Sequence, residues 1–129
     1  MTKQQEKLLC LATLAQLRHD VGDALLPELV ALFNRDSQQN LTRLQQAMVA
    51  SDLPLLTLQA HTLKSVCATY GAQVCRDQAK ALEAAARSGD SEKIAIWVGA
   101  LSQTLPSTMR ALSGWCDEQC APSDQDTSR

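Results

Sequence analysis

Three short breaks interrupt an otherwise helical pattern, and they limit the possible folds more than any other feature of this sequence. They are "SDLP" at 51–54, "YGA" at 70–72 and "SGD" at 88–90. Glycine and proline end helices, whereas serine and aspartate cap the helices that follow. Between the breaks, apolar residues recur three and four positions apart, which is the spacing of one helix face. The pattern predicts helices from near Asp23 to about Met48, from the N-cap Asp52 to about Tyr70, and from about Gln73 to Arg87.

The two ends of the chain complete this arrangement. Apolar residues from Leu8 to Leu17 predict a first helix that ends near "HDVGD" at 19–23. After "SGD", where Gly89 suits a left-handed C-cap and Asp90 the next N-cap, the apolar positions keep one helical phase across Pro106, which favours one kinked helix over two. The polar stretch 121–129 is typical of a disordered tail.

Composition agrees with a helical protein. Of the 129 residues, 45% are hydrophobic but only 3% are aromatic, a balance that favours packed helices over strands. The length suits a single domain. Helices with apolar stripes and short connections bury those stripes against one another. We therefore predict an all-α domain over residues 1–120, an antiparallel up-down-up-down four-helix bundle with an additional short N-terminal helix.

Charge and hydropathy argue against several functional classes. The formal net charge is −2 and acidic and basic residues are interspersed, so no basic surface for a nucleic acid or an anionic membrane is expected. No apolar run reaches the roughly 20 residues that span a bilayer, and the amphipathic N-terminus does not have the form of a signal peptide. We expect a cytoplasmic protein with no nucleic-acid or membrane partner.

The five cysteines are scattered, without a repeated pair spacing, and fit small apolar residues better than a disulfide framework. Cys116 and Cys120 are four residues apart and could meet on one helix. A cysteine-dependent metal or redox sensor is therefore one alternative for the function. Structural zinc usually takes four ligands, so we expect no bound metal.

His61 is the residue that most directly suggests a chemical function. On a helical wheel it lies opposite the predicted core face, which consists of Leu55, Leu56, Leu63, Val66, Cys67 and Tyr70. It shares the outward face with Thr57, Leu58, Lys64, Ser65 and Ala68. The small residues on this face leave the ring accessible to another macromolecule. The alternative is an ordinary surface histidine.

The chemistry available to an exposed histidine beside a lysine is limited and informative. A neutral imidazole is a nucleophile near pH 7, since its unperturbed pKa is about 6.5, and an adjacent ammonium attracts a phosphoryl group. The sequence contains no glycine-rich nucleotide loop, no G-x-x-x-x-G-K-[ST] motif, no serine nucleophile elbow and no paired acidic metal site. A reactive histidine without machinery of its own suggests a carrier of a chemical group.

The segment "AHTLKSVCATYGA" at 60–72 resembles the signature of the histidine-containing phosphotransfer (HPt) family. In that signature a histidine, one residue, an aliphatic residue, a lysine and a small residue precede a helix-ending glycine and alanine. The matching positions are His61, Leu63, Lys64, Ser65, Ala68, Gly71 and Ala72. Since "LPELVALF" before it and "ALEAAARSGD" after it also fit, the resemblance covers roughly Leu8 to Trp115.

The resemblance implies a monomeric four-helix bundle that is not a kinase and needs no cofactor of its own. It implies His61 as the phosphoacceptor and Lys64 as the group that stabilises the phosphoryl group. The partners it implies are the receiver domain of a hybrid histidine kinase, which supplies the phosphoryl group, and the receiver domain of a response regulator, which accepts it, with Mg²⁺ in the receiver. "HTLKS" is also similar to standalone quorum-sensing carriers of the LuxU kind. The receiver-docking face would be Thr57, Leu58, Ser65 and Ala68.

Three points stay open at this level. Ser65 stands where the family most often has glycine. Glu83 corresponds to the family's polar residue that touches the imidazole, and its carboxylate could accept the Nδ1 proton of His61. Glu83 also falls on a stripe with Arg76, Lys80 and Arg87, and such a stripe is typical of surface ion pairs. A helical adaptor or antagonist that binds a receiver without being phosphorylated would use the same face. His19 is interpreted as a turn or surface residue.

Overall fold

The computed structural model describes residues 3–120, apart from the side chain of Gln4. The predicted tail at 121–129 lies outside the described residues. All regular elements in the described part are α-helices, which are α1 (Lys3–Leu8), α2 (Leu11–Val21), α3 (Leu26–Val49), α4 (Leu53–Thr69), α5 (Gln73–Ser88) and α6 (Ser91–Cys120). None of these helices is long and apolar enough to cross a membrane.

The last four helices form the predicted bundle. Each packs against the next along the chain, and α3 closes the ring by packing against α6. Turns of two or three residues join α3 to α4, α4 to α5 and α5 to α6, so consecutive helices run antiparallel. The core between them contains large side chains with almost no exposure, among them Phe33, Leu44, Leu63, Leu82, Leu101 and Leu112. The all-α bundle architecture is confirmed.

The breaks in the sequence end and begin the helices as the local chemistry predicts. Asp52 caps α4, because its Oδ1 accepts the backbone N–H of Leu55 at 3.1 Å. Gly89 follows α5 with φ 72° and ψ 24°, the left-handed conformation that glycine adopts most readily. Asp90 caps α6 by accepting the N–H of Lys93 at 3.2 Å. As predicted, α6 is a single helix with Pro106 inside it.

The N-terminal segment differs from the single helix expected over Leu8 to Leu17. It forms two short helices, α1 and α2, separated at Leu9 and Cys10. Leu9 is buried at this break, and the backbone N–H of Cys10 donates to the carbonyl of Gly71 at 2.7 Å instead of continuing a helix. The side chain of Gln73 donates to the freed carbonyls of Lys7 and Leu9. Tertiary hydrogen bonds to the α4–α5 turn therefore replace helical ones, a competition that apolar spacing does not reveal.

The packing of α4 decides which of its residues face the solvent. Leu56, Leu63, Cys67 and Tyr70 are buried as predicted, and the ring of Tyr70 packs 4.9 Å from that of Phe33. Leu55 and Val66 are only half-buried, while Ala60, which the pattern did not include in the core, is fully buried. The core face is thus centred closer to Ala60 than the wheel indicated. The residue after Ala60, His61, lies outside it.

Candidate functional site

His61 lies in the middle of α4, and its side chain is 55% exposed. Four buried residues of the same helix hold α4 against the bundle, and Asp52 fixes the start of the helix. The imidazole is therefore carried by a rigid element with an accessible ring, which suits a group that has to meet a partner in one orientation.

Glu83 on α5 is the contact that distinguishes this histidine from an ordinary surface one. Its side chain is only 8% exposed, and its Oε2 lies 3.0 Å from Nδ1 of His61. Lys64 Nζ donates to Oε1 at 2.7 Å, and a guanidinium nitrogen of Arg87 donates to Oε2 at 2.8 Å. A carboxylate is costly to bury unless it is paired and hydrogen-bonded. Here both of its oxygens have charged or polar partners from two helices.

The partners of Glu83 keep it ionised. The hydrogen bond from Lys64 has the largest effect and that from Arg87 follows; together with the His61 contact they outweigh burial and lower the pKa of the Glu83 carboxyl from its usual 4.5 to about 2. At neutral pH the group is a carboxylate, which can only accept hydrogen bonds. The 3.0 Å contact therefore requires that Nδ1 of His61 carries the proton and donates it to Oε2.

This tautomer leaves the other ring nitrogen of His61 available. With the proton on Nδ1, Nε2 has a free lone pair. Within the described part of the chain, Nε2 has no hydrogen-bond partner. Lys64 lies one turn along α4 and uses one of its three N–H donors on Glu83, so two remain for an incoming group. The site offers a nucleophilic nitrogen and, one turn along the same helix, a cation with two unused donors.

The predicted docking residues surround His61 on the same helix. Leu58 is 58% exposed and Ser65 and Ala68 are exposed. Thr57 is half-buried, and its hydroxyl donates to the carbonyl of Leu53 at 2.9 Å. Residues three and four positions apart are neighbours on a helix surface, so these side chains and His61 form one patch with small residues beside the ring.

Arg87 belongs to the site, although the sequence placed it only in a possible surface stripe. Of that stripe, Arg76 pairs with its chain neighbour Asp77 at 3.1 Å. Glu83 is buried, so the exposure expected from the stripe is wrong, whereas the i,i+4 ion pair with Arg87 that the stripe allowed is present at 2.8 Å. The i,i+4 spacing after Glu83 indicated that the two side chains meet on the helix. It did not indicate that Arg87 would share this carboxylate with His61 and Lys64.

The other reactive side chains lie apart from this cluster. His19 is exposed and lines a cleft with Arg18 and Trp115 between α2 and the end of α6. Cys116 is buried, and burial is the main cause that raises the pKa of its thiol to about 11, so it is a neutral thiol near pH 7. No group of three or more His, Cys, Asp or Glu residues that could hold a metal ion is present in residues 3–120, with Gln4 set aside.

Comparison with known proteins agrees with the arrangement. Residues 28–115 match the family model described as the Hpt domain. The chain belongs to the Hpt domain family. The matched range begins in α3 and ends in α6, so the family's domain coincides with the four bundle helices. Membership in the Hpt family supports a histidine phosphotransfer role in a phosphorelay.

A solved structure gives the same fold. The crystal structure of histidine-containing phosphotransfer protein B (HptB) from Pseudomonas aeruginosa PAO1 superposes with a TM-score of 0.77, at 23% sequence identity over 88% of this chain and 94% of that chain. Among curated proteins, none matches this sequence. The similarity to HptB covers a larger share of this chain than the Hpt range at 28–115 does.

Proposed function

We propose that this Hpt domain is a phosphorelay carrier that holds a phosphoryl group on Nε2 of His61. It accepts the group from the receiver-domain aspartate of a hybrid histidine kinase and passes it to the receiver-domain aspartate of a response regulator. The single observation that carries this assignment is the hydrogen bond from Nδ1 of His61 to the ionised Glu83. It fixes the tautomer in which the exposed nitrogen is the nucleophile.

The site supports this role through charge and access. In the transfer, Nε2 attacks the phosphorus of the aspartyl phosphate, and the electrons of the breaking P–O bond go to the aspartate. The two donors of Lys64 that Glu83 does not occupy would bind the phosphoryl oxygens. Mg²⁺ would belong to the receiver domain. The protein acts as a carrier rather than as a kinase, and we propose that it works as a monomer in the cytoplasm.

The docking surface we propose is the patch of Thr57, Leu58, Ser65 and Ala68. The exposed Leu58 offers apolar contact area, and the small Ser65 and Ala68 allow a receiver to approach the ring closely. Close approach matters because phosphoryl transfer requires the attacking nitrogen, the phosphorus and the leaving oxygen to be in line.

The direct test is transfer from phosphorylated receiver domains. Purified receivers are phosphorylated with acetyl phosphate and mixed with this protein, and the product is analysed for an acid-labile, base-stable phosphate. We expect label on His61, none in His61→Gln, and unchanged labelling in the control His19→Gln. Phosphate found on His19, or on no histidine although the protein is labelled, would contradict the proposal. A protein that binds a receiver but takes no label would be an adaptor.

A further inference from the structure

The two oxygens of the Glu83 carboxylate accept hydrogen bonds from different numbers of donors. Lys64 alone occupies Oε1 at 2.7 Å. His61 and Arg87 share Oε2, at 3.0 Å and 2.8 Å. Among residues 3–120, with Gln4 set aside, these are the charged and titratable groups in contact with Glu83. α3, which packs against α4, and α1 and α6, which pack against α5, add none. The hydrogen bond between His61 and Oε2 is therefore weakened by the hydrogen bond that Arg87 donates to the same oxygen.

The protonation of Nδ1 decides how readily the phosphorylated ring gives up its group. When Nε2 bonds to phosphorus while Nδ1 keeps its proton, the ring becomes a cation. When an acceptor oxygen then attacks the phosphorus, the electrons of the N–P bond return to Nε2 and the ring leaves as neutral imidazole. If Nδ1 has lost its proton, the ring must leave as an imidazolide anion, which is a far poorer leaving group. With Nδ1 protonated throughout, no proton enters or leaves in either direction of transfer.

We propose that Glu83 holds the proton on Nδ1 of His61 in both the free and the phosphorylated states, and that Arg87 is a positioning residue that limits this hold by sharing Oε2. The inference rests on the proposed function. Its physical basis is that an anion 3.0 Å from Nδ1 stabilises a ring cation. The low exposure of Glu83 strengthens that interaction, since less water screens it.

A purely orienting role for Glu83 predicts something different. A glutamine at position 83 could present its side-chain oxygen to Nδ1 and keep the ring in place, but it has no charge with which to stabilise a cation. Glu83→Gln therefore separates the two roles. Arg87→Ala acts in the opposite direction, because it leaves Oε2 to His61 alone. Arg87 is 65% exposed, so its truncation leaves the bundle core untouched.

The test measures the phosphorylated ring directly. The protein is labelled with phosphoramidate, and ³¹P and ¹⁵N NMR follow phospho-His61 as the pH is changed, giving the midpoint at which Nδ1 loses its proton. Loss of phosphate to water is recorded against pH in the same samples. The matched control is Arg76→Ala, which removes another arginine ion pair from α5 away from Glu83.

The expected results go in opposite directions for the two site variants. In Glu83→Gln the midpoint should fall by about one unit or more, because a neighbouring opposite charge is lost. In Arg87→Ala it should rise, and in Arg76→Ala it should not move. The pH profile of phosphate loss should shift with the midpoint in each protein.

Two results would overturn the inference alone, and both can be distinguished from failure of the proposed function. An unchanged midpoint in Glu83→Gln, with His61 phosphorylated, would reduce Glu83 to an orienting group. An unchanged or lowered midpoint in Arg87→Ala would show that Arg87 does not limit the interaction between Glu83 and His61. The measurement on Arg87→Ala can be interpreted even if Glu83→Gln does not fold. Absence of phosphate on His61 in the unmodified protein would instead overturn the proposed function and this inference together.

Discussion

Two regions of this protein contain a histidine, an acid and an arginine, yet they differ in the burial of the acid and in whether the histidine contacts it. In the first, Glu83 is 8% exposed and contacts His61, Lys64 and Arg87. In the second, Asp23 is 59% exposed and pairs with Arg18 through both oxygens, at 2.7 and 3.1 Å. His19 lines the same cleft as Asp23 and Arg18 but makes no hydrogen bond or ion pair with a described residue.

Burial of the acid is what brings the histidine into contact with it. Asp23 can satisfy its remaining hydrogen bonds with water, so one arginine suffices, and its pKa is lowered mainly by the hydrogen bond from Arg18. Glu83 has little access to water and needs partners from within the protein. The imidazole of His61 is one of them. Exposed ion pairs contribute little to stability, so the two clusters should respond differently to substitution.

The largest expected difference is between the two histidines. His61→Gln should abolish phosphate acceptance from phosphoramidate while leaving the helical circular dichroism unchanged, because the ring is outside the core. His19→Gln should be labelled like the unmodified protein. Labelling that persists in His61→Gln would show that the two regions do not differ in reactivity.

The second prediction concerns access to the ring of His61. Ser65→Gln should lower transfer from a phosphorylated receiver by about 100-fold, since even about 1 Å of misplacement is costly for in-line transfer. Labelling of His61 by phosphoramidate should be retained. Ser65→Gly is the matched control and should transfer at least as fast as the unmodified protein. Full receiver transfer in Ser65→Gln would place the docking surface elsewhere.

The third prediction tests Lys64, a lysine on the same helix as His61 that has no counterpart among the described residues beside His19. Lys64→Ala should slow receiver transfer about tenfold, equivalent to about 1.4 kcal/mol in the barrier, because it removes donors to the phosphoryl oxygens. Single-turnover kinetics with the same receiver provide the measurement. Unchanged rates would mean that Lys64 serves only as an ion-pair partner of Glu83.

The smallest expected effect is on stability and its pH dependence. The pKa of Glu83 falls from 4.5 to about 2 on folding, so its contribution is complete above about pH 4.5, declines below that, and is lost as the pH falls through about 2. Glu83→Gln should therefore reduce the unfolding free energy by about 1 kcal/mol at pH 7 and by nearly nothing at pH 2. Asp23→Asn should leave the urea midpoint at pH 7 unchanged. Equal losses in both variants would remove the distinction between the two regions.

The fold could be predicted from the sequence where the signals are local. Asp52, Gly89 and Asp90 act through their own backbone conformation and through N–H groups a few residues away, and the helix ends they predict are the ones observed. The break at Leu9 and Cys10 could not be predicted in this way, because its hydrogen bonds run to Gly71 and Gln73, more than sixty residues later.

The same distinction between local signals and long-range contacts applies to the site. Helical spacing alone predicts that His61 faces outward and that Lys64 lies on the same face of the helix. The contact between His61 and Glu83 joins two helices, and the family resemblance suggested it where the residues themselves left a surface stripe equally open. The burial of Glu83 depends on how closely α4 and α5 pack. The role of Arg87 as a hydrogen-bond partner of this buried carboxylate depends on the same packing. No single-helix pattern contains that information.

The hydrogen bond from Cys10 to Gly71 has a consequence for how the N-terminal segment can be observed. A β-carbon on Gly71 would lie 2.9 Å from the carbonyl oxygen of Cys10, so the two backbones meet without an intervening side chain. The amide hydrogen of Cys10 can exchange with solvent only when this contact opens. Its exchange rate therefore reports detachment of α1 and α2 from the end of the bundle, separately from the slower exchange expected for amides in the middle of α4.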